Sequence, residues 1–230
     1  FRVFDPPGAK ELSDYVRIVE ATSPLVVTMP HSGRYYGNAI SHNLDLRKPN
    51  VLRTVIAGID HSVPNVTNIG NYGRATIIWT ELARAVIDVN RGEEDYDQYS
   101  VVGGPTEPKS QGVIWNATFA STPEGIERML IETYTPRGYN TLKEEGLIPF
   151  QKGTKEALGN AKDTHGIAVL WDQHSIWEEP TSTVKSGLYS GAYLIGESAE
   201  VDPSNQGKLP DLYFMHSGDI SCPREFRQFI

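Results

Sequence analysis

Residues 24–33 read Pro24-Leu25-Val26-Val27-Thr28-Met29-Pro30-His31-Ser32-Gly33, an apolar run that stops at a histidine. Its β-branched centre and short length read as a buried strand. Three further runs repeat the pattern: Arg74 to Trp79, Ala85 to Val89, and Ile167 to Trp171. Near-continuous apolar strands are expected where helices cover both faces of a sheet. Helical spacing lies between them. Lys48 to Val63 carries Leu52, Val55, Ile56 and Ile59 on one stripe. Thr122-Pro123-Glu124 reads as a helix start leading into Ile126, Met129 and Leu130, and Thr154 to Lys162 as a short helix. Strands alternating with helices predict an α/β fold: a single domain over residues 1–230, with a mostly parallel or mixed central sheet flanked by helices.

Polar residues gather where the strands end. The first run ends at His31, the third runs into Asp88-Val89-Asn90-Arg91, and the fourth into Asp172-Gln173-His174-Ser175. Ligands of open α/β sheets bind outside the carboxyl ends of the strands. Two strand-end histidines suit a catalytic zinc, which takes three protein ligands and keeps a position open for water. The third ligand is expected to be a carboxylate, because the chain has one cysteine, Cys222. Each histidine read alone is better explained by a strand cap bonded to backbone, and it is the two at equivalent strand ends, with Asp or Arg beside them, that point to the site. Arg91 offers a planar fork that matches a carboxylate. That carboxylate belongs either to a substrate or to Glu93, Glu94 or Asp95 beside it.

Composition narrows the remaining classes. At 39% hydrophobic and 22% charged, the 230 residues can bury an ordinary core. A net charge of -8 with no Lys/Arg block argues against nucleic acid as a partner. No apolar run approaches the roughly 18 residues of a membrane span, so no membrane partner is expected. No Gly-rich phosphate loop follows the first strand. The single cysteine fits a reducing compartment, and no secretory signal is visible, so a cytoplasmic location is expected. Gly92 to Gln111 and residues 180–223 read as long loops.

Three segments, in this order, resemble the signatures of the N-formylglutamate amidohydrolase family: Pro30-His31-Ser32-Gly33, Arg84 to Arg91 (RAVIDVNR) and Asp172-Gln173-His174-Ser175. Gly73-Arg74-Ala75-Thr76 is similar to the family's strand before the second signature. Gly104 to Pro108 and Gly112-Val113-Ile114-Trp115 resemble its active-site loop. The family is similar to the zinc carboxypeptidases and aspartoacylase, which implies a phosphorylase/hydrolase-like sheet. The resemblance implies that His31 and His174 hold Zn2+ or another divalent transition metal. The acid that follows the first histidine by three residues in the carboxypeptidases is Arg34 here. The resemblance to Ile59-Asp60-His61-Ser62-Val63 implies Asp60 as third ligand instead, with His61 competing. Asn90 and Arg91 become holders of a substrate carboxylate, and Arg84 or Arg34 the donor to the oxyanion. Asp172 would orient a ligand histidine, and Asp88 would brace Arg84 or Arg91.

The implied reaction is hydrolysis of an N-acyl amino acid, with N-formyl-L-glutamate as the namesake substrate. A carboxypeptidase-like enzyme, another deacylase and a non-catalytic carboxylate binder are the alternatives. Two departures bear on this. Pro149-Phe150-Gln151 carries glutamine where the family has histidine, and glutamine does not titrate. The family also continues past Ile230 with a glutamate-bearing strand, so this domain is expected to lack a C-terminal portion. Glu178 and Glu179 read as surface charges, and no general base is assigned.

Overall fold

The chain enters through a small antiparallel pair, β1 (Lys10–Glu11) and β2 (Val16–Val19), with Lys10 opposite Ile18. This computed structural model describes residues 8–36, 43–60, 75–109, 111–118 and 126–174. The strand β3 (Leu25–Met29) follows, then helix α1 (Pro49–Ala57), then β4 (Thr76–Thr80). A long helical stretch comes next. It comprises α2 (Pro136–Leu142), a π-helical segment over Lys143–Leu147, and α3 (Ile148–His165). The last described strand is β5 (Val169–Asp172). The sheet order is β1-β2-β4-β3-β5. β3 pairs in parallel with both β4 and β5, while β2 is antiparallel to β4. The sheet is therefore mixed, with a parallel centre.

Both faces of that centre are apolar. Val26 and Ile78 pack with Val16, Ile18, Phe150, Ala157 and Ala161 in one cluster, which α3 closes. Val27, Met29, Ile77 and Trp79 form a second cluster from the alternate positions of the same strands. Each fully buried aliphatic side chain of this kind stabilises the fold by roughly 1.5–3 kcal/mol.

Local chemistry sets the helix ends. Pro49 opens α1, where its missing N–H costs nothing, and Asn50, Val51, Thr54 and Val55 form its buried stripe. Thr135 caps α2 through its hydroxyl, which accepts from the Gly138 N–H at 3.1 Å, and Pro136 follows as the first helical residue. Gly166 ends α3 in the left-handed region (φ 74°), donating back to the Lys162 carbonyl at 2.8 Å.

Two expectations about elements fail. Ala85 to Val89 is not a strand. Its backbone makes local turns, with Val86 N–H on Ala83 O and Arg91 N–H on Asp88 O. The run is apolar because it is buried: Ile87 is fully inaccessible, and Ala85, Val86 and Val89 nearly so. Burial alone does not separate a strand from a packed turn. Ile126, Met129 and Leu130 are not helical either. Leu130 bridges Leu44 and Arg128 bridges Ala117, in extended backbone. Thr122-Pro123-Glu124 lies outside the described residues, as do Arg74, Cys222, Glu178, Glu179 and the loop over 180–223. The helix expected over Thr154 to Lys162 extends to Ile148 and His165, and the α1 stripe stops at Ala57.

Among the described residues, no helix is long and apolar enough to cross a membrane.

Candidate functional site

The parallel register builds the site. Thr28 of β3 stands opposite Asp172 of β5, and its hydroxyl donates to Asp172 Oδ1 at 2.6 Å. His31 lies two residues beyond β3, and His174 two residues beyond β5. The two imidazoles meet with ring centroids 4.6 Å apart. Asp60 arrives from the end of α1, its N–H donating to the His31 carbonyl at 2.8 Å. One nitrogen of each histidine and one Asp60 oxygen then lie within 4.8 Å of one another.

Gly33 makes the turn after His31 possible. A Cβ there would sit 2.0 Å from the Leu82 carbonyl oxygen, so only glycine admits the backbone of residues 81–82. Tyr35 N–H donates to Glu81 O at 2.8 Å along the same contact. Gly58 plays a similar part at the end of α1, where a Cβ would meet the Trp115 ring at 2.8 Å.

The histidines are arranged alike. His31 Nε2 lies 2.8 Å from Asp88 Oδ1, so Nε2 carries the hydrogen and Nδ1 keeps a lone pair. That Nδ1 is buried, has no hydrogen-bond partner, and faces Asp60 Oδ2 at 3.8 Å. His174 Nε2 lies 3.1 Å from Asp172 Oδ2, and its Nδ1 lies 3.1 Å from the same Asp60 oxygen. Each ring thus has a carboxylate on Nε2 and turns Nδ1 toward Asp60. A lone pair buried without a donor is costly, and a cation is the partner that two imidazole nitrogens and a carboxylate suit. The donor set fits zinc or a similar divalent transition metal, with Asp88 and Asp172 fixing the tautomers behind it.

Electrostatics follow from burial and these partners. Burial depresses the basicity of His31, against the pull of Asp88, and favours its neutral form. Burial would raise Asp88, but His31 and Arg84 outweigh it and hold the carboxyl well below its usual range. For His174, burial opposes a charge, yet Asp172 and Asp60 together push it up to about 9. A proton thus occupies His174 at neutral pH whenever no cation displaces it. Asp172 is lowered despite burial, chiefly by His174 and Thr28.

The remaining predicted residues surround this cluster. Asp88 is fully inaccessible, and its Oδ2 takes Arg84 Nε at 2.8 Å with Arg91 Nε at 3.6 Å. Arg84 also lies over the Trp115 ring, 5.1 Å from its centroid. Asn90 donates its amide to Asp172 Oδ2 at 3.0 Å, and the same nitrogen is 3.3 Å from His174 Nε2. Arg91 is 44% exposed in its side chain, open to a ligand. Arg34 is partly buried just after Gly33. Gln151 donates to the Arg91 carbonyl at 2.9 Å and so ties α3 to this rim. His61 lies outside the described residues.

Two supports were not foreseen. One is the His31–Asp88 pair itself. Its signal was Asp88 at the close of a wholly buried run. The other is Asp97, fully inaccessible. Its carboxylate accepts from Tyr99 N–H, Ser100 N–H, Asn116 Nδ2 and Lys109 N–H, at 2.9, 2.9, 2.8 and 2.6 Å. These bonds hold it below the usual carboxylate range against the effect of burial. They close the loop from 97 to 116 on itself. That loop in turn braces Asp88, whose N–H donates to Val113 O at 2.8 Å.

The fold and the sequence have relatives. A crystal structure of an N-formylglutamate amidohydrolase from Ralstonia eutropha JMP134 superposes with a TM-score of 0.59 at 20% identity, over 75% of this chain and 60% of that one. That likeness is one of fold. N-formylglutamate deformylase from Pseudomonas putida is 26% identical over 155 residues, 66% of this chain and 52% of the relative. The enzyme of the same name from Pseudomonas aeruginosa is 26% identical over 156 residues. The chain therefore spans about half the length of the curated relatives it matches. A sequence model of the N-formylglutamate amidohydrolase family matches residues 23–217, and the chain, most of whose length that match covers, belongs to this family.

Proposed function

We propose that this chain carries the metal-holding and substrate-holding part of an amidohydrolase that cleaves N-formyl-L-glutamate to glutamate and formate. The observation that carries the reading is the buried, unpartnered Nδ1 of His31, aimed at Asp60 beside His174. His31, Asp60 and His174 would hold a zinc or similar divalent ion. Such an ion supplies a Lewis acid and lowers the pKa of a bound water toward ~7.

The protein's own groups do the rest. Asp88 accepts the His31 Nε2 hydrogen and so leaves the lone pair on Nδ1. Arg84 holds Asp88 through Nε and keeps its two amino groups for negative charge developing on the amide oxygen. Asn90 and Arg91 grip the substrate's carboxylate and set the amide against the cluster. Water adds to the formyl carbon, the C–N bond breaks, and water's protons end on the departing nitrogen, leaving formate and the ammonium group of glutamate. Asp60, Asp88 and Asp172 are all committed to histidines, so water's proton is assigned to none of them.

The names of the Pseudomonas relatives support the substrate, and Gln151 in place of the family histidine favours one competing reading, a carboxylate binder without turnover. Release of formate from N-formyl-L-glutamate, lost with a chelator and restored by added Zn2+, is the expected result. Metal-loaded protein that binds the substrate without turnover would establish the binder instead.

A further inference from the structure

Beside the histidine cluster runs a cleft of about 440 Å3 between residues 89–92 and α3. Its inner end is formed by Thr28, Asn90 and Asp172, the groups gathered around His174. Its far wall is a single stripe of α3: Gln151, Thr154, Lys155 and Leu158. Those positions are i, i+3, i+4 and i+7, the spacing that aligns side chains on one helix face. Val89, Phe150 and Leu170 supply apolar surface.

The charges in this cleft are unbalanced. It holds two cations, Arg91 and Lys155. Its one carboxylate, Asp172, is already bound to Thr28, Asn90 and His174. Among the described residues no acid pairs with Lys155, whereas Lys152, one turn earlier, lies 3.8 Å from Glu156. The hydrogen bond from Gln151 to the Arg91 carbonyl fixes the helix stripe against the opposite wall. Lys155 then follows Gln151 by one turn, about 5–6 Å along the stripe.

We infer that Lys155 is a specificity-determining residue of this cleft: with Arg91 on the carboxylate next to the amide, Lys155 takes the substrate's second carboxylate, a few carbon atoms away. The inference rests on the role given to Arg91 above and extends it to the second charge of the substrate. The apolar wall covers the carbon chain between the two charges. Lysine is a flexible point charge, suited to a group whose position varies with chain length. A neutral substrate leaves Lys155 solvated at no penalty, so the selectivity is a gain for acids and not a rejection of neutrals. Both cations are partly in water, so salt screens the gain.

Calorimetric titration of the purified chain with Zn2+ present tests this. The ligands are N-formyl-glutamate, N-formyl-glutamine and N-succinyl-alanine. The wild-type chain should bind N-formyl-glutamate about tenfold more tightly than N-formyl-glutamine at low salt, with the ratio falling as salt rises. Lys155→Met should reduce the ratio to about twofold or less, while Arg91→Met weakens both ligands alike. A Lys155 dependence confined to N-succinyl-alanine would keep the dicarboxylate site and place the second charge on the acyl group. An unchanged preference for every ligand in Lys155→Met would overturn the inference and leave the amidohydrolase reading standing. A wild-type chain that shows no preference among the three yet releases formate overturns the inference alone, and one that neither binds nor hydrolyses refutes both.

Discussion

Asp88→Asn removes one charge and little volume from the centre of the site. The native carboxylate, fully buried, takes His31 Nε2 and Arg84 Nε at 2.8 Å each and the Asn90 N–H at 3.1 Å. An asparagine offers one acceptor oxygen: turned to His31, it sets an amide N–H against Arg84 Nε, donor against donor, and turned to Arg84, it drives His31 to the tautomer with its hydrogen on Nδ1. Removing one partner of a buried pair costs about 3–5 kcal/mol. Arg84 keeps 27% of its side chain exposed and recovers some hydration, so we expect about 2–3 kcal/mol here. Metal affinity should fall about 10–100-fold, because the His31 tautomer is no longer imposed. Urea unfolding in chelator reads the first quantity, and competition with a chromophoric chelator the second. The sign with pH is fixed. Asp88 has a depressed pKa, so its contribution is fully present above the unfolded value of about 3.9 and is lost as pH falls below it. The difference between wild type and variant should be flat above about pH 5 and shrink in acid. Equal metal affinity and equal stability at pH 7 would refute the reasoning.

Three further outcomes follow from the geometry. Metal affinity should rise about tenfold per pH unit between 7 and 9 and level off above, because a cation must displace the His174 proton held up to about 9. In metal-free protein the same raised pKa stabilises the fold below the unfolded value of about 6.5, and that part is lost as pH climbs through about 9, as unfolding across pH would read. Asp97→Asn puts an amide N–H against the Lys109 N–H, now 2.6 Å from Oδ2, if its oxygen keeps the other donors. A loss of about 1–3 kcal/mol in urea is expected.

The β3 strand and its terminal histidine were legible because burial, β-branching and the abrupt polar end all agree at Leu25 to His31. Val169 to Asp172 was readable for the same reason, although its start shifts by two residues. Ala85 to Val89 misled because a buried turn and a buried strand share composition. The small pair β1 and β2 was missed, since Lys10–Glu11 is exposed and polar and only Val16 and Ile18 mark its partner. The helix at Pro136–Leu142 escaped for want of an apolar stripe, with Tyr139 and Leu142 its only buried residues. Asp60 entered through family resemblance, as nothing in its neighbours marks it. The pairing of His31 with Asp88 joins residues 57 apart in sequence and depends on the turn after Gly33. Long-range contacts of that kind leave no local pattern.

The central claim is that His31 and His174 share one divalent ion with Asp60. Elemental analysis of the purified chain, alongside His31→Ala and His174→Ala variants shown folded by circular dichroism, tests it most directly. The account predicts about one equivalent of zinc in the wild type and almost none in either variant. Full occupancy in both folded variants would contradict it.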